Sequence, residues 1–194
     1  MNYLAHAYLS FDDPEILVGN MISDFVKGKK QYEYPTGIQK GIRLHRMIDL
    51  FTDQHAATKK AKTLLQPAVG PYAGAFIDVV YDHFLAIDSS IHHADNWMEF
   101  TSRTYGLLDP YSHLFPEKFA RMFPYMKTQN WLYNYRYTWG IERSFEGVAR
   151  RAAYLSAEND AFRLFEIHYN QFKLSYDAFF PDVKKLALDL LNER

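Results

Sequence analysis

In the stretch RLHRMIDLFTDQH, residues 43–55, His45 and Asp49 stand four positions apart among apolar neighbours. If the stretch is helical, positions four apart lie one above the other, so this imidazole and carboxylate point at a common spot and Asp53 continues the row. A second stretch, FIDVVYDHFLAI, carries Asp78 and Asp82 at the same spacing, with His83 about 100° further round the helix. Apolar residues cover nearly the whole turn there, which leaves little solvent face for the charges. Asp24 and His6, each in its own apolar segment, add candidates where helices meet. Carboxylates in apolar surroundings are strongly disfavoured unless they are paired or coordinate a cation. The chain has no cysteine, so its donors are nitrogen and oxygen, a set suited to magnesium, manganese or iron. Arg43 and Arg46 are the competing cations; with them the aspartates form buried salt bridges and the histidines go unexplained.

Each of these residues has a plainer reading. A single His and Asp four apart is also an ordinary helix-surface pair. His6 in YLAHAYL equally fits a satisfied core histidine, and Asp53 and His55 fit helix caps. His92 and His93, beside Asp95, read as a loop, while His113 and His168 stand in no pattern. No glycine-flanked serine nucleophile or phosphate-cradling glycine loop occurs. Water activated by a metal is therefore the better nucleophile.

The elements that must position these residues read as helices throughout. Pro14 after Asp12 and Asp13 starts one that runs to residue 27, with Gly28 as its stop. A long helix follows Pro35 through His55, and a third mixed helix follows the break at Pro67, Gly70 and Pro71. Further helices are expected near 95–107, 116–127, 140–155 and 159–179. Breaks fall at Pro110, Pro116, Pro124 and Gly140, and Pro181 separates a last turn or helix, KKLALDLL. Alternating strands of useful length are absent, so the expected fold is an all-α bundle forming a single domain over 1–194.

Composition agrees with a folded globular chain: 48% hydrophobic and 23% charged residues. The 15 Tyr and 15 Phe imply a core of large rings whose hydroxyls need polar partners. No run approaches the roughly 18–20 apolar residues of a membrane span, and the N-terminus lacks the features of a signal peptide. The expectation is a cytoplasmic protein with no membrane role. A net charge of −1 gives no general case for nucleic acid. Residues 117–151 are locally basic, through Lys118, Arg121, Lys127, Arg136, Arg143, Arg150 and Arg151, as either a solvated helix face or a docking surface for an acidic partner.

Four segments, MNYLAHAYLS, GNMISDFVKG, GIRLHRMIDLFTDQH and YAGAFIDVVYDHFLA, cover roughly the first 90 residues in that order. Together they resemble the acyl carrier protein phosphodiesterases, a family regarded as a divergent relative of the HD-domain metal-dependent phosphohydrolases. The resemblance implies an HD-phosphohydrolase-like bundle that removes 4′-phosphopantetheine from holo acyl carrier protein, with a divalent metal, typically manganese. It points by position to Asp24, His45, Asp49, Asp82 and His83 as the metal site, to which His6 is added. Asp24 would bind the metal or orient the attacking water, and Arg43 or Arg46 would neutralise charge on the phosphoryl oxygens. The acidic carrier protein would dock on Lys118, Arg121, Arg136, Arg143, Arg150 and Arg151.

The chain departs from the pattern in two places. HRMID and DH stand where an HD relative has an adjacent His-Asp pair, and FLAIDSSIHH follows where the family often reaches a tryptophan, the first here being Trp97. Three other functions stay open: an HD-like phosphohydrolase of a nucleotide or other small phosphate ester, a non-enzymatic helical adaptor, and a di-iron carboxylate oxygenase. The last is disfavoured by the lack of paired Glu and Glu-x-x-His ligands.

Overall fold

Helices α1 (Tyr3–Tyr8), α2 (Pro14–Ile22), α3 (Thr36–Gln54), α4 (Ala56–Val69) and α5 (Ala73–Ala86) form the half of the chain that carries the candidate site. The other half holds α6 (Ala94–Leu108), α7 (Glu117–Thr128), the single-turn α8 (Trp131–Asn134), α9 (Thr138–Arg151), α10 (Ala161–Ile167) and α11 (Tyr169–Asn192). This computed structural model describes every residue except 92, 93, 157, 193 and 194, so the His92-His93 pair lies outside the described residues. Among those described, every regular element is helical, in accord with the all-α expectation. No helix among them is long and apolar enough to cross a membrane.

Local chemistry explains the start of α2. The Asp13 carboxylate accepts from the amides of Glu15 and Ile16, both at 3.0 Å, and Pro14 occupies the first turn. The helix stops at Ile22, five residues before the sequence suggests, and a 3-10 turn over Ser23–Phe25 swings Asp24 outward. Helix α3 then returns against α2 at unusually short range. A Cβ on Gly19 would lie 2.1 Å from the Ile38 carbonyl oxygen, and one on Gly41 would lie 2.3 Å from that of Ile16. Only glycine allows this approach, which brings Asn20, next to Gly19, within reach of His45, one turn after Gly41.

The prolines correct the expected boundaries. Pro67, Pro124 and Pro181 all lie inside helices, and α11 runs unbroken to Asn192. An interior proline costs about 3 kcal/mol relative to alanine. In α11 the buried Phe179 and Phe180 before it and Val183 and Ala187 after it all pack into the core, and that burial outweighs the lost hydrogen bond. The expected 159–179 helix is instead two, parted at His168, and α8 gave no separate signal in the sequence.

The core is one cluster of buried side chains drawn from both halves, with Tyr81, Tyr176, Phe76 and Phe84 among its largest members. Three of its buried tyrosines have polar partners for their hydroxyls. Tyr176 donates to Asp88 at 3.0 Å, Tyr105 donates to the Met126 carbonyl at 3.0 Å, and the hydroxyls of Tyr81 and Thr58 pair at 3.2 Å.

Gly41→Ala is expected to lower unfolding stability by about 1–3 kcal/mol through overpacking of α2 on α3. Denaturant titration checks this, and an unchanged midpoint would contradict the close approach.

Candidate metal centre

Side chains from two helices converge behind that contact: His6 of α1, and His45 and Asp49 of α3. One ligand atom from each lies within 4.8 Å of the others. His6 Nε2 is 3.2 Å from Asp49 Oδ1, and His45 Nε2 is 3.1 Å from Asp49 Oδ2. The two imidazoles stack, with centroids 3.9 Å apart and planes 16° from parallel. Both histidines are buried, whereas the Asp49 side chain is 39% exposed and opens the cluster to solvent.

Asn20, fully buried on α2, sets both rings. Its side-chain nitrogen donates to the His6 carbonyl at 2.9 Å and to Ser10 Oγ at 3.1 Å, while Ser10 itself donates to the His6 carbonyl at 2.8 Å. These bonds fix the amide so that its oxygen accepts from His6 Nδ1 at 2.7 Å. The Asn20 backbone carbonyl accepts from His45 Nδ1 at 2.8 Å. Both imidazoles therefore carry a proton on Nδ1 and turn Nε2 toward Asp49, the orientation that ligating histidines adopt when their other nitrogen is tied to an acceptor.

The donor set fits a cation. Burial, reinforced by the charge of His45, lowers the His6 pKa to about 4, so the ring is neutral at pH 7. Its Nε2 lone pair then faces the Asp49 carboxylate and the Met1 carbonyl oxygen, each at 3.2 Å. Three acceptors facing one another in a buried pocket call for a positive charge among them. Each imidazole Nε2 approaches one oxygen of the Asp49 carboxylate, His6 on Oδ1 and His45 on Oδ2. His6, His45 and Asp49 are thus compatible with a divalent metal.

Without an ion, protons carry that charge. Burial opposes it, but hydrogen bonds to Asp24 and Asp49 hold the His45 pKa up at about 9. Asp49, although partly desolvated, is kept far below the usual carboxylate range by the Met1 ammonium and both histidines. That ammonium lies 3.3 Å from Asp49 and 3.0 Å from Asp78; burial works against it, and the two carboxylates raise it to about 11.

The other expected site residues divide. Asp24 joins the rim: it is exposed, lies 3.3 Å from His45 Nε2, and is held ionised chiefly by that hydrogen bond. Asp82 is fully buried outside the triad, and its two oxygens accept from the Leu4 and Ala5 amides at 2.8 and 3.2 Å, which anchors α1. Burial raises its pKa to about 7. His83 points elsewhere, with Nδ1 on the Tyr135 carbonyl at 2.7 Å and Nε2 on the Tyr169 hydroxyl at 3.0 Å, so neither nitrogen faces the triad. Arg43 is exposed, and Arg46 is held by Gln31 at 2.6 Å and by the Val26 carbonyl at 3.2 Å. Neither pairs with Asp49, Asp78 or Asp82 among the described residues, as a salt-bridge adaptor would require; the Met1 ammonium pairs with Asp49 and Asp78. His55 caps α4 by accepting from the Ala57 amide, and Asp53 pairs with Lys62.

The basic segment is equally divided. Lys118 is exposed, Arg121 pairs with Glu117, and Arg150 pairs with Glu146 at 2.9 Å. Arg136 stacks over Tyr133 and Arg143 over Trp139, at 5.0 and 5.2 Å from the ring centroids. Asn20 is the residue that sequence reasoning missed, although a lone carboxamide in the apolar run ILVGNMI was the available signal.

A nitrogen and oxygen triad carried on an all-helical scaffold defines a candidate metal-dependent helical protein. The family model described as acyl carrier protein phosphodiesterase matches residues 1–183, and the chain belongs to that family. Among its relatives, the acyl carrier protein phosphodiesterase of Photorhabdus laumondii is 32% identical over 198 residues, covering 96% of this chain and 95% of that protein. The Klebsiella pneumoniae protein of the same name is 33% identical over 195 residues (96% and 97%), and that of Yersinia pestis 30% over 193 residues (96% and 97%). No solved structure gives a significant match.

Two outcomes follow for metal binding. Asn20→Ala frees the His6 ring and is expected to weaken manganese affinity about 10–100-fold by calorimetry; unaltered affinity would contradict its orienting role. Because a metal must displace the His45 Nε2 proton, affinity is expected to rise about tenfold per pH unit between pH 6 and 8, levelling above the His45 pKa. A flat profile would show that His45 is not a ligand.

Proposed function

We propose that this chain hydrolyses the phosphodiester between 4′-phosphopantetheine and the serine of holo acyl carrier protein, giving apo acyl carrier protein and free 4′-phosphopantetheine. The observation that carries the proposal is the pre-oriented His6, His45 and Asp49 triad in a chain matched to the family over nearly its full length. These three residues would hold a divalent ion, with manganese foremost and magnesium or iron as alternatives. When bound, such an ion supplies Lewis-acid charge for the phosphoryl oxygens and lowers the pKa of a water toward neutrality.

The chain's own groups would do the rest. Asp24, ionised and exposed at the rim beside His45, would orient a water and take its proton as the water oxygen bonds to phosphorus. The serine oxygen would leave on the opposite side and take up a proton from solvent, into which Asp24 then releases the one it accepted. Arg46, which grips the Val26 carbonyl, braces the segment that follows Asp24. Asp82 holds α1, and through it His6, in register. The proposal places the enzyme in the cytoplasm, in line with the expectation from its sequence.

Intact-mass analysis of holo acyl carrier protein, incubated with the protein and manganese, tests this. Loss of the phosphopantetheine mass is expected, abolished by chelator and slowed about 10²–10⁴-fold in Asp24→Asn. A carrier left unchanged by folded, metal-loaded protein would overturn the proposal.

A further inference from the structure

Beside the metal centre lies a cleft of about 410 Å³ between the start of α1 and the face of α9, walled by Asn2, Tyr3, Trp131, Asn134, Trp139 and Arg151. Its volume falls within the range of about 300–1,000 Å³ typical of small-molecule sites. We propose that this cleft receives the pantetheine arm of holo acyl carrier protein while the phosphodiester sits at the metal centre, an inference that rests on the function proposed above.

Continuity is the first reason. Asn2 and Tyr3 line the cleft, and the preceding residue touches the triad twice, through its carbonyl at 3.2 Å from His6 Nε2 and its ammonium at 3.3 Å from Asp49. One short peptide therefore has the cleft on one side and the candidate metal ligands on the other.

Lining chemistry is the second reason. The pantetheine arm is uncharged and carries two amides, a hydroxyl, a geminal dimethyl group and a terminal thiol, with its phosphate at one end. Such a ligand needs hydrogen-bonding carboxamides and flat apolar walls rather than a run of charges. The cleft offers Asn2 and Asn134 beside Trp131 and Trp139, and Trp139 remains 44% exposed on its rim. Of its three arginines, Arg150 is neutralised by Glu146 and Arg143 lies over Trp139. Arg151 is in no ion pair among the described residues, which leaves its charge for the phosphate end.

Gly147 supplies the test. It lines the cleft, and a Cβ there would meet only an Arg151 nitrogen at 3.7 Å, so larger side chains can project into the space without striking backbone. Binding of free 4′-phosphopantetheine to the manganese-loaded protein is measured by calorimetry for wild type, Gly147→Ala, Gly147→Phe and Trp139→Ala, with thermal midpoints as the folding check. The expected result is retained affinity in Gly147→Ala, at least tenfold weaker binding in folded Gly147→Phe, and weaker binding in Trp139→Ala. Undiminished binding in Gly147→Phe and Trp139→Ala, or no binding by wild type, overturns the inference. Wild-type cleavage of holo carrier protein is followed in parallel: cleavage with both variants binding normally removes the cleft alone. Cleft-dependent binding without cleavage removes the proposed reaction and leaves the cleft as a phosphopantetheine site.

Discussion

A single buried carboxamide, Asn20, ties α1 to α2 and aims both imidazoles at Asp49. Its side chain and backbone together serve His6 Nδ1, His45 Nδ1, the His6 carbonyl and Ser10. Burying an amide without partners costs roughly 2–7 kcal/mol, so a fully buried Asn20 is tolerated only where each of these groups is in place. The glycine contact between α2 and α3 makes that possible, because any Cβ at Gly19 or Gly41 would hold the helices apart. Packing at two glycines thus dictates hydrogen bonding at Asn20, which in turn dictates which nitrogen of each histidine is available for chemistry.

The electrostatics of the site follow from the same arrangement. Asp49, Asp78 and Asp82 gather near α1, and the Met1 ammonium and the His45 imidazolium are the positive charges set against them. The carboxylates, with Asp24 at the rim, outnumber these two charges, which a divalent ion can supplement or replace: the His45 proton stands on a candidate ligand nitrogen, and neutral His6 already presents a bare Nε2. Asp82, raised toward neutrality by burial yet held by two backbone amides, belongs to the support of α1 rather than to this exchange.

Helical periodicity made most of the fold legible in the sequence, and it also placed His45 and Asp49 on one face of α3. The prolines misled because local propensity yields to burial: Pro181 sits between Phe180 and Val183, both anchored in the core. His83 misled for a related reason. Its neighbours are apolar all round α5, so a buried polar partner was predictable, but the Tyr135 carbonyl and Tyr169 hydroxyl that satisfy it come from residues more than fifty positions away. Asn20 escaped notice because its role exists only after α1 and α3 close on it. The cleft was invisible for the same reason, since one wall is at residue 2 and the other begins near residue 129.

Anomalous diffraction from manganese-soaked crystals at the manganese absorption edge tests the central claim most directly. A single peak bounded by His6 Nε2, His45 Nε2 and Asp49, with Asn20 still bonded to both histidines, is the result the geometry predicts. A peak at Asp82 and His83 instead, or a soaked crystal with no manganese at the triad, would contradict it.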